Sequence, residues 1–298
     1  MTVQGSAAKG LDYQPCYYGT SKNLFRGPKQ RLRGDYIACL GSTETFGRFI
    51  ETPYPGLLEE TLGLPAVNLG CQRAGIDAFL SCSSLIDICA MAKATVIQIM
   101  GAPNMSNRHY TVDPRRNERF LRASKQLKAI YPEVDFRDFE TTSDLLTGLA
   151  RVCPSRLHQV RQELQTAWVA RMRTLIDMIG GPVILLWASD HAPYSKEDGG
   201  TICRDPVFVD RAMLNAIAPR AAAVVEVVAK ANDIASGLGE MVYGPFEVQA
   251  AKEMLGPVAH RWIAAELTDL LSGLLEIDAK PQSLDVSLQL LKAGATAA

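Results

Sequence analysis

Four short apolar runs recur along the chain, and each stops at glycine or a small polar residue. They are Tyr36–Leu40, Ala66–Leu69, Thr95–Met100 and Pro182–Ala188. Continuous apolar runs of this length fit strands buried on both faces. Between them the spacing changes to that of a helix. Residues 76–92 predict one crossover helix. Residues 155–179 predict a long amphipathic helix, with Leu157, Val160, Leu164, Met172 and Leu175 on its stripe and Gly180-Gly181-Pro182 as its stop. Shorter helices are predicted at Pro55–Leu62, closed by Gly63, and at Pro206–Ile217, with a strand at Ala223–Val228. Pro257–Leu275 opens with proline in its first turn, as a helix start prefers. Strand and helix alternate throughout. That predicts a three-layer α/β/α sandwich with a mainly parallel, flavodoxin-like sheet.

Two stretches break the alternation. Residues 1–35 are a loose tail followed by an aromatic, proline- and glycine-punctuated segment that turns basic at Arg26, Lys29, Arg31 and Arg33. They read as an irregular N-terminal arm laid across the domain. Residues 104–153 are polar and arginine-dense, with Arg108, Arg115, Arg116, Arg119 and Arg122, then pass into short helical pieces. They read as a helical insertion over the strand ends, where specificity commonly resides. The expected organisation is therefore an arm (1–35), one α/β domain (36–276) and a peripheral tail (277–298).

Composition narrows the function classes. The 298 residues are 47% hydrophobic and 21% charged, with a formal net charge of −1, which fits a soluble globular protein and argues against a general nucleic-acid binder. No apolar run is long enough to span a bilayer, and the N-terminus lacks a signal-peptide pattern, so cytoplasmic residence is expected. The seven cysteines form no CxxC pair and read as reduced, buried small hydrophobes. No metal-ligand spacing and no GxGxxG motif occurs, so neither a metal nor another cofactor is expected.

Chemistry should gather where the strands end. In open α/β sheets ligands bind at the carboxyl ends of strands. Gly41-Ser42-Thr43-Glu44-Thr45 follows the first run at a predicted helix start, where backbone N–H groups suit an anion or an oxyanion. Equally, Ser42 or Thr43 could simply cap that helix, with Glu44 or Thr45 assisting. Asp190-His191 follows the Pro182–Ala188 run, as a base or as a loop shaped by Asp190 and Pro193. Asn104 reads either as an oxyanion donor or as an Asx-turn residue. His109 lies on the insertion beside Arg108, where it would touch substrate. His158 reads as a surface position on the long helix. Arg26 and Arg108 are the guanidinium groups assigned to a substrate anion, while Arg115 to Arg122 read as a solvated helix face paired with Glu118.

Taken together, the strand ends resemble the SGNH (GDSL-type) hydrolases. In that family a serine after the first strand, a glycine after the second, an asparagine after the third and a late histidine form the active site. Gly41-Ser42-Thr43-Glu44-Thr45-Phe46-Gly47 resembles the block GDSxTxG, Asn68-Leu69-Gly70 with Gly75 the second block, and Gly101-Ala102-Pro103-Asn104 the block GxND, shifted by one residue. Ala259-His260-Arg261-Trp262 resembles the start of the closing helix. The resemblance implies Thr43 or Ser42 as nucleophile, His260 or His191 as base, and Gly70 and Asn104 as the oxyanion site. Two departures stand out: Thr43 occupies the nucleophile slot with Ser42 in the aspartate's place, and the DxxH tetrad is missing. More narrowly, the chain resembles an uncharacterised bacterial group with the segments FRGP (Phe25–Pro28) and DHAP (Asp190–Pro193). Three functions fit these features. One is a hydrolase or acyltransferase acting on an ester-type group of a small-molecule, glycan or lipid-type substrate that carries an anion. The second is a sulfuryl or phosphoryl transferase. The third is an inactive relative that binds such a ligand.

Overall fold

The computed structural model describes residues 10–195, 202 and 204–277. Residues 1–9, the expected Gly199-Gly200 loop, Cys203 and the expected tail from 278 lie outside the described residues. The strands are β1 (Ile37–Gly41), β2 (Ala66–Gly70), β3 (Ala94–Gln98), β4 (Tyr110–Val112), β5 (Phe120–Ala123), β6 (Val183–Ser189) and β7 (Ala223–Val228). Five of them form one parallel sheet in the order β2-β1-β3-β6-β7. The chain reverses its direction of winding between β1 and β3, and that switch point opens a crevice at the strand ends.

Around the sheet stand α1 (Thr43–Phe46), α2 (Tyr54–Leu62), α3 (Asp77–Leu80), α4 (Ser83–Ala90), α5 (Lys125–Ile130), α6 (Thr142–Val152), α7 (Pro154–Ile179), α8 (Arg211–Ile217), α9 (Ala231–Gly237), α10 (Val248–Lys252) and α11 (Pro257–Leu275). Alternate residues of β1 serve opposite layers. Ile37 and Cys39 pack with Tyr54, Leu58, Ile263 and Leu267 of α2 and α11. Ala38 and Leu40 face the layer of Leu85, Trp168 and Leu214 from α4, α7 and α8. Each fully buried side chain of this size contributes roughly 1.5–3 kcal/mol through lost water contact. The buried Trp168 also places its indole N–H on the Met100 carbonyl at 2.8 Å, tying α7 to the chain just beyond β3. The three-layer α/β/α architecture is as expected, and Pro257–Leu275 and Ala223–Val228 coincide with their predicted bounds.

The differences cluster around short elements. The helix that starts at Thr43, immediately after β1, is only four residues long. The crossover helix is split into α3 and α4 because Cys82 is extended, and the helix predicted from Pro206 starts only at Arg211, capped by Asp210. The insertion carries an antiparallel hairpin, β4-β5, besides its helices. Arg116 pairs with Glu118 at 3.1 Å in the connection of that hairpin, not along a helix face. The six described cysteines are free, but only Cys39 and Cys89 are fully buried. Among the described residues no helix is long and apolar enough to cross a membrane.

Candidate functional site

An open cleft of about 720 Å³ lies over the ends of β1, β3 and β6. Its floor is organised by Gln98, the last residue of β3 and 5% exposed. The Gln98 side-chain carbonyl accepts three hydrogen bonds: from Ser42 N–H at 3.0 Å, Thr45 N–H at 3.0 Å and Thr45 Oγ1 at 2.7 Å. The Thr45 hydroxyl also meets the Tyr54 hydroxyl at 3.0 Å. Gly41 makes this knot possible, because a Cβ there would lie 2.2 Å from Thr45 Oγ1 and 2.6 Å from Gln98 Oε1. The knot fixes the first turn of α1 to the neighbouring strand and leaves Ser42, Thr43 and Glu44 on the cleft wall. Ser42 holds the N-cap position without a capping bond, and among the described residues its hydroxyl has no partner. Thr43 Oγ1 accepts Arg73 N–H at 3.0 Å.

Glu44 is the unusual acid of the cleft. Its carboxyl accepts Leu255 N–H at 3.3 Å, and burial pushes its pKa up to about 8, with nearby Asp205 adding to the rise. Burial raises Asp205 as well. Behind Glu44 lies His260, fully enclosed, with Nε2 at 3.7 Å from Glu44 Oε2. His260 Nδ1 accepts Tyr54 N–H at 3.2 Å, which fixes the proton on Nε2, facing Glu44. Burial, then the charge of Arg26, lowers the ring to about 3, so it stays neutral. Across the cleft, Asp190 pairs with Arg204 at 3.1 Å. His191 stacks on Tyr194 and turns Nδ1 to the Ala192 carbonyl at 2.8 Å, leaving Nε2 4.0 Å from Asp190 Oδ1.

The structure therefore brings Ser42, Thr43, Glu44, Asn104 and Asp190 to one cleft. His191 and His260 stand behind its walls and do not line it. Other expected residues are engaged elsewhere. Gly70 N–H donates to Asn68 Oδ1 at 2.8 Å, and the glycine is needed because a Cβ would press on Phe46 N at 2.1 Å. Asn104 donates to the Arg73 carbonyl at 2.9 Å and accepts Thr142 Oγ1 at 2.6 Å, so it ties the insertion to the loop after β2. Arg26 is buried, donating to the carbonyls of Gly47 at 2.6 Å and Glu51 at 2.7 Å, and so clamps backbone rather than an anion. Arg108 is exposed, 3.7 Å from Glu163, and His109 is buried away from the cleft. Arg73 and Lys252 line the cleft without an acidic partner among the described residues, and composition alone did not distinguish them. Gln98 was legible only as one polar residue inside the run TVIQIM. Among the described residues no three of His, Cys, Asp or Glu are grouped to share a metal ion.

Comparison with known proteins gives a family and little more. No curated protein matches the chain. A crystal structure of a candidate GDSL-like lipase from Bacteroides ovatus ATCC 8483 is similar at a TM-score of 0.41 and 13% identity, over 88% of this chain and 59% of that one. This chain thus spans less than two thirds of that protein's length. Residues 1–275 match the model of the family described as domain of unknown function DUF6473, so the arm, the sheet, the insertion and α11 together form the family's unit, and the chain belongs to that family.

Proposed function

We propose that the cleft is the active site of an SGNH-like hydrolase or acyltransferase acting on an ester-type group of a substrate that carries an anionic moiety. The observation that supports it most is the Ser42 hydroxyl at the switch point, without a partner among the described residues, in a cleft shared with the raised carboxyl of Glu44. Ser42 is preferred to Thr43 as nucleophile, because Thr43 Oγ1 already accepts an N–H and its methyl crowds the attack. Ser42 Oγ bonds to the ester carbonyl carbon while ionised Glu44 takes the hydroxyl proton. The ester C–O bond then breaks, and Glu44 returns the proton to the departing oxygen. Water or an acceptor alcohol removes the acyl group by the same steps in reverse. His260 stands behind Glu44 with Nε2–H 3.7 Å from the carboxylate, beyond hydrogen-bond distance, and closes that side of the acid to water. Arg73 and Lys252 take the anion-holding role expected of Arg26 and Arg108. In this reading residues 36–276 act as one catalytic domain, on a small-molecule, glycan or lipid-type substrate in the cytoplasm.

A fluorophosphonate probe and a panel of short acyl esters test the assignment. Intact mass should show one adduct on Ser42, absent in Ser42→Ala and retained in Thr43→Val. Turnover should rise with pH as Glu44 ionises, through about 8. Ser42→Ala turning over like the wild type would remove Ser42 as nucleophile. A second reading, an inactive binder, is favoured by the position of both histidines behind the cleft walls. It predicts no adduct and no release, yet saturable anion binding that Arg73→Ala weakens.

A further inference from the structure

From the knot on the cleft floor, we infer that Gln98 is the electrophilic catalytic residue of this site, its side-chain N–H2 group donating to the oxyanion that forms when the ester carbonyl is attacked. The inference rests on the acyl-transfer reading given above and assigns the one role that reading leaves unfilled. Carboxamide orientation is normally ambiguous, because oxygen and nitrogen are nearly equal in size. Here chemistry decides it. Two backbone N–H groups and the Thr45 hydroxyl converge on one end, at 3.0, 3.0 and 2.7 Å, and N–H groups can only donate. That end is the carbonyl oxygen. The other end is therefore N–H2, with no hydrogen-bond partner among the described residues and without being one of the sealed, unsatisfied polar atoms of the interior. Gln98 lines the cleft and is 5% exposed, and the N–H2 group is the part of its carboxamide left without a partner among the described residues, which assigns that group to the cleft.

Position and rigidity fit the role. The carboxamide that presents the N–H2 group is the one that binds Ser42 N–H, so donor and nucleophile are held by a single planar unit. An oxyanion donor works by being fixed before charge develops, since it then needs no reorganisation during the reaction. Three bonds on the carbonyl supply that fixation, and each pulls electron density in the direction that makes the N–H2 group a better donor. The groups that the family resemblance puts in this role are occupied: Gly70 N–H by Asn68 and the Asn104 amide by the Arg73 carbonyl. No proton or electron leaves Gln98. The donor bond forms as the carbonyl oxygen gains charge and weakens when the C=O double bond returns.

Gln98→Glu separates this role from mere support, because a carboxylate still accepts all three bonds but cannot donate. Gln98→Leu removes both functions. The expected result for Gln98→Glu on the full chain is a kcat lower by about 100-fold or more with KM within about threefold, and a melting temperature close to wild type. Gln98→Glu retaining wild-type kcat while Gln98→Leu loses it would overturn the inference and leave Gln98 as an anchor of α1. If Gln98→Glu fails to fold, the wild type labelled with side-chain 15N-glutamine gives the answer with a boronic acid that adds to the serine. A downfield shift of the Gln98 N–H2 protons on adduct formation supports the donor role, and unmoved protons overturn it. Wild type that neither turns over esters nor forms an adduct defeats the acyl-transfer reading itself, and this inference with it.

Discussion

The two histidines near the strand ends look alike in sequence, each beside chemistry-bearing neighbours, yet their backbones assign them opposite roles. His260 accepts Tyr54 N–H on Nδ1, so its remaining nitrogen is a donor facing Glu44. His191 must donate from Nδ1 to the Ala192 carbonyl, so its remaining nitrogen is an acceptor; among the described residues neither ring's second nitrogen has a hydrogen-bond partner. A main-chain N–H at one ring and a main-chain carbonyl at the other decide which can give a proton and which can take one. The lesson is that a histidine's usefulness to a site is written in its second partner, which sequence spacing does not reveal.

The largest effect should come from cutting out the better-packed ring. His260→Ala leaves a cavity at the start of α11 and an unmet Tyr54 N–H, and should cost about 3–5 kcal/mol in urea denaturation. His191→Ala loses the stack on Tyr194 and one bond to a carbonyl, and about 1–2 kcal/mol is expected. Equal losses would erase the contrast between the two corners.

Titration sharpens it next. Glu44 has a folded pKa of about 8 against an ordinary 4.5, so the folded state holds the proton more tightly. That stability is complete below 4.5 and is lost as pH climbs through 8. His260 has a folded value of about 3 against 6.5, so its contribution is complete above 6.5 and is lost as pH falls toward 3. Stability should form a plateau between about 4.5 and 6.5 and fall on both sides. Glu44→Gln should flatten the alkaline side and exceed the wild type at pH 8 by about 1–3 kcal/mol. A variant that declines as steeply as wild type would assign the alkaline loss to another group, with Asp205 the nearest alternative.

The smallest effect belongs to Arg108, and Arg26 is its contrast. Arg108→Ala should change stability by less than about 0.5 kcal/mol, as suits an exposed side chain with a distant partner. Arg26→Met should cost about 2–3 kcal/mol, since it unsatisfies buried carbonyls beside α1. Thermal melts of both variants read the difference directly.

Most of the sheet was legible because its strands are long enough to show an apolar run, and because glycine or a polar residue marks where each ends. The β4-β5 hairpin was not. Strands of three and four residues offer too few positions for a period of two to emerge from the arginines around them. The cleft's location followed from the strand ends, and Ser42, Thr43 and Glu44 were found there. Its partners were not, because they depend on main-chain groups distant in sequence. Arg26 lies 21 residues from the carbonyl it holds most closely, and its charge alone suggested solvent or an anion. Gln98 was absorbed into an apolar strand, although a single amide in such a run was itself the signal.

The Arg26 clamp makes the N-terminal arm a structural tenant of the cleft. The arm's guanidinium holds carbonyls at the end of α1 and beyond it, and the Tyr13 hydroxyl accepts Phe49 N–H at 3.0 Å. Opening the arm therefore releases the segment that closes the turn bearing Ser42. Amide hydrogen exchange at residues 46–51 should accelerate together with exchange in residues 13–27, as one unit. A shortened chain starting at the first strand would lose the brace beneath the turn that bears Ser42, and with it Tyr18 and Phe25 from the core.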